Sequence, residues 1–208
     1  MPDLDHERQF NAPVIGIDEA GRGPWAGPVT VTAIWLCPSA YAALPVGIDD
    51  SKKIKPLRRA SLAAALMAPP HLYHTVSIEV GQIDQMGILK ATFAGMVMAA
   101  SELADKMVKA GLGAPVHALV DGNLLPPDMP LPATALIKGD SRSLSIAAAS
   151  IIAKTSRDQI MQDLALAYPE YGWASNMGYG TKAHQAGLDQ FGLTPHHRHS
   201  FKPIRRYL

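Results

Sequence analysis

The chain has 208 residues, of which 48% are hydrophobic and 18% charged, a composition typical of a globular protein of one domain. Its 19 basic and 18 acidic side chains give a formal net charge of +1, so the total charge does not indicate a polyanionic partner. The single cysteine, Cys37, excludes an intrachain disulfide and a cysteine-based zinc site, and we expect it to be a buried thiol in a reducing compartment.

The beginning of the chain, MPDLDHERQF, is polar and acidic, which is not the pattern of a secretory signal peptide. No apolar run along the sequence approaches the ~20 residues that a membrane-spanning helix needs. We therefore expect a soluble, cytoplasmic protein that does not enter a membrane.

Apolar runs with strand character alternate with helical patterns along the chain. Strands are predicted at 14–18, 29–36, 71–80, 117–121 and 133–138. Helices are predicted at 57–67 (after Pro56), 88–110, 143–168 and 181–191. Helices interleaved with strands favour an α/β fold with a central mixed sheet flanked by helices. We expect a single domain over residues 1–208, with a small helical C-terminal subdomain from about residue 165 as the alternative.

Acidic residues stand at the ends of three predicted strands: Asp18 and Glu19 after the first, Asp121 after the fourth and Asp140 after the fifth. If these strands are parallel neighbours, their C-terminal ends share the sheet edge where open α/β sheets carry their sites. Carboxylates gathered there repel one another, so they either retain protons or bind cations. Oxygen ligands without nearby cysteine or histidine favour Mg²⁺ or Mn²⁺.

Each acidic motif also has an ordinary structural interpretation. Adjacent strand residues point to opposite faces, so Asp18 and Glu19 serve one site only where the strand is ending. Asp121 precedes a glycine as in many turns, and Asp140 is in place to cap a helix. Asp158 follows Lys154 by four residues, and we interpret the two as a surface pair, with Asp158 in reserve should Asp140 fail.

Candidate substrate contacts surround these acids in the sequence. The segment Gly21, Arg22 and Gly23, hereafter the glycine turn, exposes backbone N–H groups that can approach a ligand closely. Tyr179 stands between glycines in GYGT, which leaves its ring free to stack on a sugar or base, although packing over the sheet edge is the alternative. Candidate phosphate contacts are Lys52, Lys53, Lys138, Lys154, Arg157 and Lys182.

Charge and histidine patterns add two weaker indications. Residues 1–50 carry two basic and seven acidic side chains, whereas residues 138–208 carry nine basic and five acidic ones. This asymmetry suits a metal site beside a phosphate-binding flank, and chance variation explains it equally well. His196, His197 and His199 lack the further ligands of a zinc site, so we interpret them as packing or capping groups.

Several long blocks together resemble, in the correct order, those of the ribonuclease HII family, the type 2 branch of ribonuclease H. The blocks are IGIDEAGRGPWAGPV (15–29), DDSKK (49–53), IDQMGILKAT (83–92), LVDGN (119–123), KGDSRSLSIAAASIIAKTSRD (138–158), GYGTKAH (178–184) and HRHSF (197–201). The resemblance covers nearly the whole chain, and a succession of blocks is far more specific than any single motif.

The resemblance implies a ribonuclease H-like fold with a helical C-terminal part. It implies an endonuclease that cuts the RNA strand of RNA–DNA hybrids and cuts at single ribonucleotides in duplex DNA. We expect it to use divalent Mn²⁺ or Mg²⁺, with two ions in the substrate complex. By motif position, Asp18, Glu19, Asp121 and Asp140 match the family's metal ligands. The glycine turn matches its 2′-hydroxyl sensor and Tyr179 its sugar-packing tyrosine.

Three alternatives remain at this point. A non-catalytic hybrid-binding module would lack one of the four acids, and none is missing. A type 3 ribonuclease H usually carries an extra N-terminal domain, whereas about a dozen residues precede the first predicted strand here. A small-molecule phosphohydrolase gives no reason for the glycine turn or the GYGT segment. We expect a monomer that binds nucleic acid and no membrane.

Overall fold

The computed structural model describes all 208 residues, Met1–Leu208. The strands are β1 (Val14–Ala20), β2 (Val29–Trp35), β3 (Leu72–Ile78), β4 (His117–Asp121) and β5 (Ala133–Leu136). The α-helices are α1 (Pro56–Met67), α2 (Val80–Met86), α3 (Ile88–Lys109), α4 (Leu144–Ala167), α5 (Trp173–Asn176) and α6 (Lys182–Phe191). No single helix is long and apolar enough to span a membrane, although α2 and α3, bent by 119°, pass that test as a pair.

The strands form one five-stranded mixed sheet in the order β3-β2-β1-β4-β5. β1 is antiparallel to β2 and parallel to β4, and β4 is parallel to β5. The α/β fold with a mixed sheet and flanking helices is therefore confirmed. The three acid-bearing strands are parallel neighbours, which was the condition for a shared site, so the C-terminal ends of β1, β4 and β5 lie along one edge.

The alternation of side chains along β1 builds a core on each face of the sheet. Ile15 and Ile17 pack towards α3, in a cluster with Met96 and Leu103. Helix α4 covers the other face and is itself covered by α1, which joins the cluster around Ile151. Because α4 is enclosed on both sides, its first half is apolar almost all round, as the sequence SIAAASIIA shows.

Gly16 sets the distance between β1 and α4. A Cβ atom added to Gly16 would lie 2.3 Å from the carbonyl carbon of Ser145 and 2.6 Å from the backbone nitrogen of Ile146. Backbone atoms cannot rotate away as a flexible side chain can. The absence of a side chain at this position therefore brings α4 close enough to place its inner residues at the sheet edge.

We expect Gly16→Ala to destabilise the protein by about 1–3 kcal/mol, because the extra methyl group forces β1 and α4 apart. Gly81→Ala in α2 is the matched control, since nothing lies within 4 Å of the added atom. Alanine in a helix is favoured over glycine by about 0.5–1 kcal/mol, so the control should be as stable as the parent or more so. Urea unfolding measures both; equal stability of the two variants would contradict the close approach.

The structure corrects several local predictions. β1 continues to Ala20 instead of ending at residue 18, and β3 ends at Ile78 because Glu79 caps a short helix, α2, that the strand pattern concealed. Cys37 is only partly buried, with its sulfur 3.1 Å from the Ser39 hydroxyl, so the prediction of a buried thiol is wrong. Beyond α4 the chain forms the short helices α5 and α6, packed around the buried Trp173.

Candidate active site

Asp18 and Glu19 reach the same cleft from opposite faces of the sheet. Because β1 continues through both residues, their side chains point in opposite directions. Asp18 faces α4, with the Ser150 hydroxyl close to its carboxylate, and Glu19 faces the α3 side beside Arg22, 3.4 Å away. β1 ends one residue after Glu19, so the pair lies where the strand is ending, as expected. The acids share a site because they straddle the end of the sheet.

A cleft of about 490 Å³ opens at this edge of the sheet. It brings together Asp18, Glu19, Asp121 and the glycine turn, with Tyr179 at its margin. The remaining lining residues are Ala20, Ser51, Lys52, Arg59, Ser150, Lys154 and Arg157. Asp140 is not among them, but it lies near enough to Asp121 for the charge of that residue to raise the pKa of its carboxyl group. The structure thus gathers three of the four predicted acids in the cleft and places the fourth beside it.

Burial and mutual repulsion disfavour the ionised forms of these acids. Burial raises the pKa of Asp18 well above its usual value, and the charges of Glu19 and Asp121 raise it further. Burial followed by the charge of Asp121 likewise raises the pKa of Asp140. The repulsion predicted from the sequence is therefore present in the fold, and a nearby cation would relieve it.

The chemistry of the acidic cluster fits a hard divalent cation, because every nearby charged acceptor is a carboxylate oxygen. As the side chains stand, no group of three histidine, cysteine or acidic side chains in the chain is arranged to hold a metal ion. Binding an ion at this edge therefore requires carboxylate rotation towards a shared centre. Short acidic side chains rotate easily about their χ angles at an open cleft.

We expect Asp18→Asn to raise the melting temperature of the metal-free protein at pH 7. A carboxyl group with a raised pKa in the folded state costs stability at pH values above its unfolded pKa of about 3.9, fully so above the folded value. The gain should therefore shrink as the pH falls towards 4. Asp128→Asn, at an exposed position outside the cleft, should leave the melting temperature unchanged. Calorimetry from pH 4 to 7 tests this; no gain at pH 7 would contradict the repulsion.

Two buried arginines lie behind the glycine turn, and one of them, Arg198, binds it directly. Arg198 donates to the carbonyl oxygens of Gly21 (2.6 Å) and Arg22 (3.0 Å), and also to those of Gly27 and Pro28. Arg157 donates to the carbonyls of Pro28, Ala26 and Met177. Arg157 is 1% exposed, and all three of its guanidinium nitrogens donate to backbone carbonyls. The prediction that it contacts phosphates is therefore wrong.

The N–H groups of the glycine turn have no hydrogen-bond partner within the chain, whereas two of its three carbonyls accept from Arg198. None of the backbone N–H groups of Gly21, Arg22 and Gly23 donates a hydrogen bond within the chain. Gly21 has φ +98°, and a Cβ there would lie 2.0 Å from Arg157 Nε, so only glycine fits. The turn lines the cleft, and its three N–H groups have no partner within the chain.

Tyr179 lies directly against the glycine turn. Its side chain is 48% exposed, and a Cβ added to Gly23 would lie 3.4 Å from its ring. Gly180 behind it is required because an added Cβ would collide with Trp25 at 2.1 Å. The two motifs that the sequence suggested as sugar contacts are thus neighbours in space, and the ring faces the cleft.

The predicted basic contacts separate into different environments. Lys52 lines the cleft, and its charge opposes the raised pKa values of Glu19 and Asp140. Lys53 lies 3.4 Å from Asp49 on the surface. Lys138 and Lys182 are exposed and lie outside the cleft.

The predicted i,i+4 pair of Lys154 and Asp158 is present, but its predicted surface location is wrong. Asp158 is 8% exposed, and its two oxygens bind Arg59 at 2.8 Å and Lys154 at 2.6 Å. The charge of the Asp158 carboxylate is already neutralised by these two cations, so it does not need a metal ion. Asp158 is therefore excluded as a substitute for Asp140. Arg59 gave no signal in the sequence, since arginine in an exposed-looking helix is normally solvated.

Two serines of the cleft were also missed. Ser51 and Ser150 hydrogen-bond to each other at 2.9 Å, and the proximity of Ser150 to Asp18 partly offsets the rise that burial causes in the pKa of that carboxyl group. The serine pair links the segment before α1 to α4. Ser51 falls within the DDSKK block, which was its only signal in the sequence.

A profile of the ribonuclease HII family matches residues 15–204 of the chain. The chain belongs to the ribonuclease HII family. The ribonuclease HII of Jannaschia sp. (strain CCS1) is 46% identical over 208 residues, covering 100% of this chain and 98% of that protein. Ribonuclease HII membership makes the chain a metal-dependent endoribonuclease that acts on the RNA strand of RNA–DNA hybrids.

Solved structures share the fold of this ribonuclease HII chain. The ribonuclease H2 of Pyrococcus horikoshii OT3 superposes with a TM-score of 0.77 at 24% identity, over 94% of this chain and 96% of that one. Bst-RNase HIII in complex with Mn²⁺ gives 0.79 at 21% identity, over 97% of this chain and 70% of that one. At these identities the likeness establishes the ribonuclease H-like fold, which confirms the predicted fold class.

Proposed function

We propose that this ribonuclease HII cuts at single ribonucleotides embedded in duplex DNA as well as in RNA–DNA hybrids. The observation that carries the proposal is the contact between the glycine turn and Tyr179 at the rim of the acidic cleft. One ribonucleotide needs only one sugar to be recognised, and this arrangement offers one set of hydrogen-bond donors beside one aromatic ring. No second sugar-reading element is required for the reaction.

Asp18, Glu19, Asp121 and Asp140 are proposed to hold two divalent ions, Mg²⁺ or Mn²⁺. When bound, the ions supply Lewis-acid activation of water and stabilisation of the leaving 3′-oxygen, which gives 5′-phosphate and 3′-hydroxyl products. The four carboxylates would supply oxygen ligands to these ions. Ser150, close to Asp18, would help to orient that carboxylate, and Lys52 would place a positive charge near the scissile phosphate.

The glycine turn is proposed to discriminate RNA from DNA by requiring a 2′-hydroxyl group on the bound sugar. Its unpaired N–H groups can donate to a 2′-hydroxyl oxygen, which a deoxyribose lacks. A deoxyribose leaves these donors desolvated and unpaired, which costs about 1–3 kcal/mol per group. Because the contact is to the sugar, we expect little dependence on base sequence.

A series of 2′ substituents tests this role of the glycine turn. Three duplexes carry a ribonucleotide, a 2′-fluoro nucleotide or a deoxynucleotide at the same position. Their 2′ substituents are, respectively, a hydroxyl that donates and accepts, a fluorine that accepts weakly, and a hydrogen that does neither. Cleavage should fall in that order, with deoxy cut at least ~100-fold more slowly than ribo. Equal cleavage of ribo and deoxy substrates would remove the proposed 2′-hydroxyl recognition.

Tyr179→Ala should lower cleavage of a single-ribonucleotide duplex more than cleavage of a continuous hybrid. Stacking of a ring on a nucleotide contributes about 1–3 kcal/mol, so the loss on the single-ribonucleotide substrate is roughly 5–150-fold. A continuous hybrid has further ribose contacts and should lose less than about threefold. Tyr179→Phe preserves the ring and serves as the control. Steady-state kinetics on both substrates measures the ratio, and an equal loss on both would argue against stacking.

Lys53 and Lys138 are proposed as outer phosphate contacts along the bound strands, with the cleft-lining Lys52 nearest the cut. We expect the protein to act as a monomer, since one chain supplies every group of the cleft. The cytoplasmic location and the single-domain organisation over residues 1–208 stay predictions.

A further inference from the structure

A chain of buried polar atoms runs behind Tyr179 through two histidines. His184, in α6, and His197 are both 0% exposed, and their Nε2 atoms are 3.0 Å apart. His184 Nδ1 lies 3.0 Å from the carbonyl oxygen of Tyr179. These histidines, hereafter the histidine pair, contact neither the acids nor the cleft, and nothing in the proposed chemistry uses them.

The hydrogen-bond partners fix where each proton resides. The backbone N–H of Thr194 donates to His197 Nδ1 at 2.9 Å, so Nδ1 is an acceptor and the proton of His197 is on Nε2. The Thr194 hydroxyl, 3.0 Å from the same Nδ1, accepts from the His196 N–H and can donate its own hydrogen to Nδ1. His197 Nε2–H then donates to His184 Nε2, which also accepts from the indole N–H of Trp173 at 3.1 Å. His184 therefore carries its proton on Nδ1 and donates it to the Tyr179 carbonyl.

Only a neutral pair satisfies this network. A second proton on His197 would place Nδ1–H opposite the Thr194 N–H, so that two donors face each other. A second proton on His184 would likewise place its Nε2–H opposite the Nε2–H of His197. Burial lowers the pKa of His197 to about 4, and it lowers the pKa of His184 as well. Both rings are consequently uncharged at neutral pH, and no carboxylate is hydrogen-bonded to either.

The backbone of Tyr179 is held on both sides by this region. Its N–H donates to the Asn176 carbonyl at 2.9 Å, and its carbonyl accepts from His184 Nδ1 and from the Thr181 N–H at 2.8 Å. The side chain, in contrast, makes no hydrogen bond and is half exposed. The direction of the ring therefore depends on the peptide plane that follows it, and His184 is the side chain that fixes that plane.

We propose that His184 and His197 form a neutral pair of opposite tautomers that positions Tyr179 against the sugar of the bound ribonucleotide. His184 is the positioning residue, and His197 sets its tautomer. The inference rests on the proposed stacking role of Tyr179 and adds two residues of the C-terminal helical part to substrate selection.

Two amide substitutions separate the two hydrogen-bonding roles of His184, which are donation to the Tyr179 carbonyl and acceptance from His197 and Trp173. In His184→Asn the amide N–H₂ takes the place of Nδ1 and still donates to the Tyr179 carbonyl, but it leaves His197 and Trp173 without an acceptor. In His184→Gln the longer amide reaches the place of Nε2 and can accept from them, but it removes the side-chain donor and leaves the Tyr179 carbonyl with the Thr181 N–H alone. His199→Gln, at an exposed histidine, is the matched control.

The two variants should therefore differ, with the larger loss of substrate selectivity in His184→Gln and the larger loss of stability in His184→Asn. We expect His184→Gln to lower kcat/KM for a single-ribonucleotide duplex by about tenfold, and for a continuous hybrid by less than threefold. His184→Asn should melt at a lower temperature than His184→Gln and yet keep the ratio between the two substrates. A selectivity loss that follows melting temperature in both variants would overturn the positioning role.

A double-mutant cycle shows whether His184 acts through Tyr179. If it does, adding His184→Gln to Tyr179→Ala should reduce single-ribonucleotide cleavage no further. Multiplied losses would overturn the inference while leaving stacking intact. If Tyr179→Ala alone reduces cleavage of both substrates equally, the stacking role is wrong and the inference fails with it.

The tautomers are open to direct measurement. ¹⁵N spectra of the histidine-labelled protein should show Nδ1–H for His184 and Nε2–H for His197 at pH 7, with assignments from single substitutions. A charged ring or the reverse tautomer at either position would overturn the inference independently of any activity.

Discussion

Asp121→Asn should abolish nearly all cleavage of RNA–DNA hybrids while leaving the fold intact. Asp121 stands at the end of β4, and its charge acts on Asp18, Glu19 and Asp140, so its carboxylate is central to the acidic cluster. A metal centre stabilises the transition state of phosphodiester hydrolysis by several kcal/mol. Loss of about 4 kcal/mol corresponds to roughly a 10³-fold fall in kcat/KM.

The fold should survive because the substitution preserves the structural contact of Asp121. Its Oδ1 atom accepts a hydrogen bond from the Gly139 N–H at 2.7 Å, and the asparagine carbonyl oxygen can take the same bond. Asp18→Asn should behave alike, since its Oδ1 accepts from the Glu19 N–H at 2.7 Å. Asp128→Asn, outside the cleft, should retain full activity.

Hybrid cleavage under single-turnover conditions, with circular dichroism to verify folding, distinguishes the outcomes. Folded variants with full activity at both Asp121 and Asp18 would refute the metal-site assignment. Activity restored by a tenfold excess of Mn²⁺ in either variant would instead support weakened ion binding at the same site.

Arg198→Met should cost about 4 kcal/mol of unfolding free energy and most of the activity. Arg198 is 0% exposed and makes four hydrogen bonds to backbone carbonyls, two of them in the glycine turn. Hydrogen bonds to a charged group contribute about 1.5–3 kcal/mol each, and carbonyls left unpaired in the interior add to the loss. For a chain of this size the melting temperature should fall by roughly 10 °C.

The loss of activity should come from the glycine turn, whose carbonyls would be free to rotate and to displace the N–H donors from the cleft. Arg205→Met changes an exposed arginine in the same way and should alter stability by less than about 0.5 kcal/mol. Arg198→Lys should lie between the two, since one ammonium group cannot reach all four carbonyls. Thermal unfolding that places Arg198→Met within 1 kcal/mol of Arg205→Met would contradict the buried network.

Strand ends and their acids were predictable because a short apolar run that stops at a carboxylate is a local pattern. The run before Asp121 has that form, and the helices between β1 and β4 are typical of a parallel pair. β4 and β5 are also parallel, but the segment 122–132 that joins them contains no helix, so the sequence pattern did not indicate that pairing. Whether Asp18 and Glu19 could share a site was not predictable in the same way. That depends on the sheet ending at the cleft, so that both of its faces open onto one space.

Buried cations were the main error of the sequence interpretation. Arg157, Arg198 and Arg59 look like solvated side chains, because lysine and arginine are nearly always exposed. Their partners are backbone carbonyls and one aspartate from distant parts of the chain, which no spacing rule reveals. The histidine near the end illustrates the same limit: His197 was correctly interpreted as a packing group, yet its partner His184 is thirteen residues away in a different element.

Cleavage of a DNA duplex with one ribonucleotide, with products mapped to the nucleotide, tests the central claim most directly. With Mg²⁺ or Mn²⁺ present we expect a single cut at the ribonucleotide that leaves 5′-phosphate and 3′-hydroxyl ends, and no cut after chelation with EDTA. Cleavage that persists in EDTA, or that falls equally on the all-DNA duplex, would contradict an acidic cleft that uses divalent ions beside a turn that recognises the 2′-hydroxyl.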